Sequence, residues 1–571
     1  MSMGSGPEIQ RFLQSYHRLR HQCTELELRC LEPVHREMCS SLHRDADAPE
    51  INASAFLYAS ARLPDCMPQT DRVILASSQS SLESNLKTSL QGWQLVQAQK
   101  RRRTTYFNGE QTLAVLLTSI SDLDDIIPGL CAFQIEWNKM HRRLDQSPLG
   151  LELARGRTAA SELGDELRRV LGLNRADFET LQGLWGRGWD RKIAAIAGGE
   201  KDLLLCTLPM LDEDFQDIAR IWWDDLLRIF EAYDLPNRPV YLVTSNNHSL
   251  VNLSLGFASR HKEPILDCAR GMHDPEFVSH CNRVLAEDPD SLFNFLYYAQ
   301  PGFVQQNPVL EGTIADMERE SGIRRTAALE PLLAEAQVIE LAKLRPRRLD
   351  PRLGVARPEA LTRSKAVILN TDYPLGFGAY HLLQTAADRL HQWRGLFVLG
   401  KSAAMIGRLG DIMIPTQVRD VHHERLYSFH NCFSARNLVP YLHEAAVFDE
   451  QRSLTVHGTF LHSWDAVRSL HRADFTGIEM EAGPCLAALA DRFQARSSRA
   501  AGCVDLELPP DFHLGILHYA SDTPYNLRAS LLSAPLGLNG LEATYACSLA
   551  ILQYILDQEA GRMGRPFKRG W

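Results

Sequence analysis

Apolar residues near the start of the chain recur at spacings of three and four. Ile9, Phe12, Leu13, Tyr16, Leu19, Cys23 and Leu26 fall on one face with charge opposite, which predicts helix from about Glu8 to His43. The pattern then shortens. Arg72-Val-Ile-Leu-Ala76 and the stretch from Trp93 predict strands, and Thr104–Phe107 and Gln111–Leu117 flank Asn108-Gly109, a dipeptide suited to a tight hairpin. Helical spacing returns from about Thr158 to Pro236, where Phe215, Ile218, Trp222, Leu226, Ile229 and Tyr233 form one packing face. Val240–Thr244 reads as a buried strand, Ser245-Asn-Asn-His-Ser249 as a polar turn, and Leu250 onward as a helix start. Strand, short polar loop and helix start together favour an anion, because free backbone N–H groups point out of a helix end. Residues from about 270 to 340 look helical again.

Between Lys343 and Lys365 stand eight basic residues against two acids, with Pro346, Pro351 and Pro358 among them, a composition that predicts an exposed connector. Beyond it strand and helix signals alternate. The strands are expected at Ala366–Asn370, Gly395–Gly400, Gly410–Thr416, Ser453–His457, Gly477–Met480 and Gly515–Tyr519. That alternation implies an α/β layer on a largely parallel or mixed sheet. The expected organisation is a helical segment over residues 1–60, an α+β domain of unknown role over 61–235, an α/β domain over 236–560 with a helical insertion at about 270–362, and a basic tail over 561–571. In such sheets ligands sit beyond the carboxyl ends of the strands, where Lys401-Ser402, Glu479-Met-Glu481 and Ser521-Asp522 all fall.

Composition narrows the function. Lys plus Arg is 61 and Asp plus Glu is 70, so the net charge is −9, which argues against whole-molecule nucleic-acid binding. With 45% hydrophobic and 23% charged residues the chain has the means to build cores and is not disordered. No apolar run reaches the roughly 18–20 residues needed to cross a bilayer, and the first residues lack a basic, then apolar, leader. A soluble cytoplasmic protein with no membrane partner is expected. The twelve cysteines include no C-x-x-C pair, and the adjacent His422 and His423 point to different sides, so reduced thiols and no metal or cofactor are expected. The run Lys100-Arg-Arg-Arg103 reads as a solvated strand end, with a phosphate contact as the alternative.

Five motifs in order, Gly400-Lys-Ser-Ala-Ala404, Leu409-Gly-Asp-Ile-Met-Ile-Pro-Thr416, His457-Gly-Thr-Phe-Leu-His-Ser-Trp-Asp465, Gly477-Ile-Glu-Met-Glu-Ala-Gly483 and Ala520-Ser-Asp522, resemble the nucleoside phosphorylase and nucleosidase superfamily, most nearly its AMP nucleosidases. The likeness covers about Ala366–Gln558 and extends back to Val240–Ala258. It implies a mixed-sheet nucleoside phosphorylase-like C-terminal domain behind a largely helical α+β N-terminal region. It also implies cleavage of the N-glycosidic bond of a purine nucleotide or nucleoside. By resemblance Asp522 is the general acid at the purine, Glu481 accepts the ribose hydroxyls over a Met480 floor, and Lys401-Ser402 stands where relatives bind phosphate, the lysine either pairing with phosphate or filling the site and excluding it. Arg528, six residues after Asp522, is a candidate to hold a phosphate or to orient the aspartate. Phe460 or His462, with Ser521, borders the base. A homo-oligomer is implied on the same ground, and inorganic phosphate is a candidate co-substrate.

Read as chemistry alone, each residue keeps an ordinary alternative: a helix N-cap for Asp522, core packing for Phe460 and Met480, surface exposure for Arg528. The phosphate loop departs from the family, since Lys401 replaces a small hydroxyl residue, alanines replace glycines, and Val398 and Leu399 stand where phosphorylases carry arginine. Those departures favour hydrolysis, or nucleotide binding without turnover as a sensor or scaffold, over phosphorolysis with an altered phosphate site.

Overall fold

The computed structural model describes residues 6–564 except 88, 273–274, 288–290, 356, 375, 495–501 and 525–539. Arg528 and most of the basic tail therefore lie outside the described residues. The chain forms two sheets wrapped by helices, a mixed helix-and-sheet architecture.

The first sheet holds β1 (Thr24–Glu27), β2 (Arg72–Ala76), β3 (Gln94–Leu95), β4 (Thr105–Phe107), β5 (Thr112–Leu116) and β6 (Leu204–Thr207) in the order β1-β6-β2-β5-β4-β3. The central strands β2 and β5 are parallel and apolar on both faces, as strands covered on both sides must be. The helix expected to run to His43 instead stops at His17. Thr24-Glu-Leu-Glu27 alternates outward glutamates with inward side chains and pairs antiparallel with β6, so a distant partner overrides the local helical spacing. The Asn108 turn joins β4 to β5, but its side-chain oxygen accepts N–H bonds from Glu110, Gln111 and Thr112 at 3.0, 3.0 and 2.9 Å, closing a longer connection than a two-residue hairpin.

The second sheet comprises β7 (Pro239–Thr244), β8 (Ile323–Arg325), β9 (Ala336–Glu340), β10 (Val367–Thr371), β11 (Gln392–Ala404), β12 (Ile412–Asp420), β13 (Arg425–Phe429), β14 (Val447–Thr455), β15 (Gly477–Glu479), β16 (Cys503–Leu506) and β17 (His513–Asp522). Its order is β16-β13-β12-β14-β15-β11-β7-β10-β9-β8, and β17 pairs with both β11 and β12. Strands β12, β14, β15, β11 and β17 thus close a ring. Strands β7, β10, β11 and β17 run parallel, so their carboxyl ends share one edge. Helices cover both faces: Ser249–Leu255 and Leu541–Gly564 pack over one core, Gly378–Arg389 and Ala482–Phe493 over the other.

The two halves interlock. Helix Ile120–Asp145, the longest in the N-terminal half, places Ser121 Oγ 2.8 Å from Phe377 N, which donates to it. The segment after β14 runs into the N-terminal core, where Phe460 and Leu461 are each 1% exposed. Buried Asp124 accepts from Tyr16 Oη at 2.8 Å, sits 2.6 Å from His17 Nε2 and lies 3.4 Å from His457 Nδ1. Among the described residues no helix is long and apolar enough to cross a membrane.

Candidate active site

The last residues of β11 separate two acidic segments. On one side Ala403 pairs with Asp522 of β17, on the other with Ile478 of β15. Because β15 runs antiparallel to β11, the chain from Glu479 to Glu481 turns back alongside Ser402 and Lys401. Neighbouring strands lie about 4.8 Å apart, so the two flanking strands are about 10 Å from each other. Gly477 permits that approach, since a Cβ there would meet Ser402 Oγ at 2.6 Å. Ser521 is the residue skipped where the β11–β17 register shifts, a bulge that re-aims the strand end at Asp522.

A gap opens beside β11. Its pairing with β7 ends at Val398 and that with β15 begins at Ala403, so among the described residues Leu399–Ser402 have no strand partner on that side. The loops after β7 and β10 border this gap. They bring Asn246, His248 and Tyr373 towards Lys401 and Glu481. Burial raises the Tyr373 hydroxyl, helped by Tyr519, Asp372 and Glu481, while a hydrogen bond with Asn246 opposes the rise. Burial, Arg325 and Lys401 lower His248 to about 4, so its ring is neutral.

The two carboxyls are displaced in the same direction. Burial pushes Asp522 up to about 6 against the pull of Arg62 and Lys401. Its Oδ1 is shut from solvent and has no hydrogen-bond partner among the described residues. Burial pushes Glu481 up to about 7, opposed by the Met480 N–H, Arg101 and Lys401. Lys401, exposed at the mouth, is the cation whose field reaches both acids.

Glu479 is different. One oxygen accepts from Glu481 N at 2.7 Å and Ala482 N at 2.6 Å, and the other accepts from Thr455 Oγ1. It caps helix Ala482–Phe493 and is occupied, even though burial and Glu481 raise it to about 8.

The other residues singled out from the sequence divide. Met480 is half-buried, its Cε 3.7 Å from where a Cβ on Gly376 would stand, so it lines the seam between the two halves. Ser402 is 2% exposed and donates its hydroxyl to the Ile478 carbonyl at 3.1 Å, which commits it to the backbone. Phe460 packs in the core against Tyr58 and His35, with ring centroids 5.3 and 6.1 Å away, and has no face left for a base. His462 is buried, its ring lowered to about 4 by burial and its carbonyl bonded to Ser41 N at 2.9 Å, again on the N-terminal side.

What the sequence did not reveal comes from the N-terminal half. Of the basic run expected in solvent, Lys100 and Arg102 are exposed while Arg101 and Arg103 turn inward. Arg101 makes a two-point pair with Asp125, Nε to Oδ2 and NH2 to Oδ1 each 3.0 Å. Arg103 reaches Asp122 Oδ1 at 2.9 Å and Asp125 Oδ2 at 2.5 Å, and Arg102 pairs with Asp372 beyond β10. Although burial acts the other way, Arg101 and Arg103 hold Asp125 well below the usual carboxylate range. Arg62, at the end of helix Ala53–Arg62, lies 3.5 Å over the Tyr58 ring. Only the spacing of Lys100–Arg103 ahead of Asp122 and Asp125 hinted at this, and the pairing is tertiary.

A family model described as "Family of unknown function (DUF6909)" matches residues 28–557. The chain belongs to that family. The DUF6909 match covers the second sheet and all of the first except β1, so the N-terminal half is part of what defines the family. No curated protein matches the chain. Among solved structures, a putative methylthioadenosine nucleosidase from Weissella paramesenteroides is 10% identical, covering 56% of this chain and 99% of its own, with a TM-score of 0.27. A 5′-methylthioadenosine/S-adenosylhomocysteine nucleosidase from Neisseria meningitidis is 13% identical over 45% of this chain and 95% of its own, with a TM-score of 0.28. A uridine phosphorylase from Schistosoma mansoni is 9% identical over 45% and 86%, with a TM-score of 0.29. Superpositions of that quality assign neither fold nor activity to this DUF6909 chain.

Proposed function

We propose that the protein hydrolyses the N-glycosidic bond of a purine nucleoside or nucleotide. The observation that carries this reading is the pair of half-buried, raised carboxyls, Asp522 and Glu481, flanking the end of β11 and sharing the field of Lys401. Breaking the C1′–N9 bond leaves electrons on the base and a cationic sugar. Asp522, whose raised pKa of about 6 keeps its protonated form accessible in mildly acidic solution, donates in that form to the departing purine at N7. Water adds to C1′ and its proton returns to the Asp522 carboxylate, so one water is consumed and the acid is regenerated. Glu481, once ionised, accepts hydrogen bonds from the ribose hydroxyls and steadies the oxocarbenium charge.

Hydrolysis is favoured over phosphorolysis because the segment after Gly400, the end of strand β11 and not the loop its sequence suggests, has its serine hydroxyl tied to Ile478 O and only alanines beyond it. The reading includes a cytoplasmic setting, in keeping with twelve free thiols. It also includes a homo-oligomer, for which Leu211, Ile221 and Ile229, each close to half exposed along one helix, offer apolar surface.

Incubation with AMP, adenosine, inosine and guanosine, with and without phosphate, followed by chromatography for free base, tests the reading. Base release without phosphate is expected. Release that requires phosphate and yields ribose 1-phosphate points to phosphorolysis, and tight binding with no release points to a sensor.

A further inference from the structure

We infer that the N-terminal half completes the pocket with a phosphate-binding cradle of Arg62, Lys100 and Arg101, facing Lys401 across the seam. The inference rests on the site proposed above and assigns that site a phosphate-bearing ligand.

The backbone holds the cradle together. Lys100 N donates to Ala61 O at 2.8 Å, which pins the basic run to the last turn of helix Ala53–Arg62 and sets Lys100 beside Arg62. Asp125 grips Arg101 at two points and so fixes its plane. Tyr58 backs the Arg62 guanidinium, and Arg62 Nη1 donates to the Tyr58 carbonyl at 3.3 Å. Arg62 Nε is closed off from solvent and has no partner among the described residues.

Charge is unbalanced at this spot. Among the described residues no ion pair joins Arg62, Lys100 or Lys401 to a carboxylate, and the only acid on Arg101 is Asp125, which it shares with Arg103. Burial lowers both Arg62 and Lys100; on Arg62, Arg101 adds to the shift while Tyr58, Asp125 and Asp522 oppose it, and on Lys100 both Arg62 and Lys401 add to it. Of the acids in view, Glu481 is largely protonated near pH 6 and Asp522 about half so, and together they return only part of the negative charge. A crowded, half-desolvated set of cations gains most from a multiply charged anion with several acceptor oxygens, which describes phosphate better than a single carboxylate. Two sources supply that chemistry: the phosphomonoester of a nucleotide, or free phosphate bound next to a nucleoside.

Calorimetric titration of the full-length protein with ribose 5-phosphate, inorganic phosphate and ribose reads the cradle without turnover, since none of these probes has a glycosidic bond. Both phosphate probes are expected to bind at least about tenfold tighter than ribose. Lys100→Gln, at an exposed side chain that leaves the core intact, and Arg62→Gln are each expected to weaken phosphate binding about tenfold, with Arg62→Lys restoring part of it and ribose unaffected. Base release from AMP without added phosphate assigns the phosphate to the nucleotide, and phosphate-stimulated release from adenosine assigns it to the free ion; either supports the cradle. Equal affinity for ribose and ribose 5-phosphate, or unchanged phosphate affinity in variants that melt like the wild type, overturns it. Phosphate binding that persists in a protein releasing no base overturns only the hydrolase reading.

Discussion

Asp522 and Glu481 acquire their chemistry from burial, and burial makes a specific demand on pH. The acid must keep its proton, so activity declines as pH rises through about 6. The ribose-gripping carboxylate must lose its proton, so activity climbs as pH approaches about 7. The product is a kcat/KM bell centred near pH 6.5, at which roughly one free enzyme molecule in twenty carries both groups in the working form. Ribose hydroxyls donating to Glu481 lower its pKa in the complex, so kcat reaches its plateau further to the acid side. In Glu481→Gln the rising limb is expected to vanish, leaving a low rate that only falls above pH 6. A flat wild-type profile between pH 5 and 8 excludes these two groups from the rate. At this scale the sequence places Glu481 and Asp522 at strand ends, and the structure sets both strands beside β11, while their roles belong to the proposal. For Phe460 and Ser402 one chain does not tell whether a ring or hydroxyl in a motif faces a ligand or a core, and the structure commits both to packing and backbone.

The strands of the second half were readable because they are short apolar runs bounded by Gly, Pro and polar turns. The expected Ala366–Asn370 and Gly515–Tyr519 correspond to Val367–Thr371 and His513–Asp522. The first helix was over-extended since Thr24–Glu27 becomes a strand only through β6, nearly two hundred residues away. In the run Lys100–Arg103, Arg101 and Arg103 are drawn inward by Asp122 and Asp125 on a helix whose approach no local pattern records, while Lys100 and Arg102 stay exposed. The segment after β14 has the largest mechanical consequence. Phe460 is a C-terminal residue in an N-terminal core, so Phe460→Ala is expected to cost about 3–5 kcal/mol and to loosen the seam that holds Arg62 and Arg101 against the pocket. Thermal melting together with phosphate titration checks both effects. A variant with native melting and native affinity removes this segment from the coupling.

For the whole molecule, the balance of buried titratable groups sets its acid tolerance. His248, His381, His462 and His518 are lowered to about 4 and His422 to about 3, chiefly by burial, so the folded protein keeps them neutral while the unfolded chain protonates them below about 6.5. Glu479, Glu481 and Asp522 work the other way: raised to about 8, 7 and 6, they stay protonated in the fold while the unfolded chain has released those protons down to the usual carboxylate range. Five histidines against three carboxyls leave an excess of about two protons taken up on unfolding near pH 5. Stability is therefore expected to drop as pH falls from 6.5 to 5, and melting temperatures across that range measure it; a rise would reverse the sign of the balance.

The central claim is that Asp522 gives its proton to a departing purine. Free adenine released from AMP or adenosine by the wild type and by Asp522→Asn, timed by chromatography, tests it most directly. The expected result is steady release by the wild type and a rate at least about 100-fold lower in an equally stable Asp522→Asn protein. Equal rates in the two proteins, or no base released by the wild type from any purine substrate, contradict it.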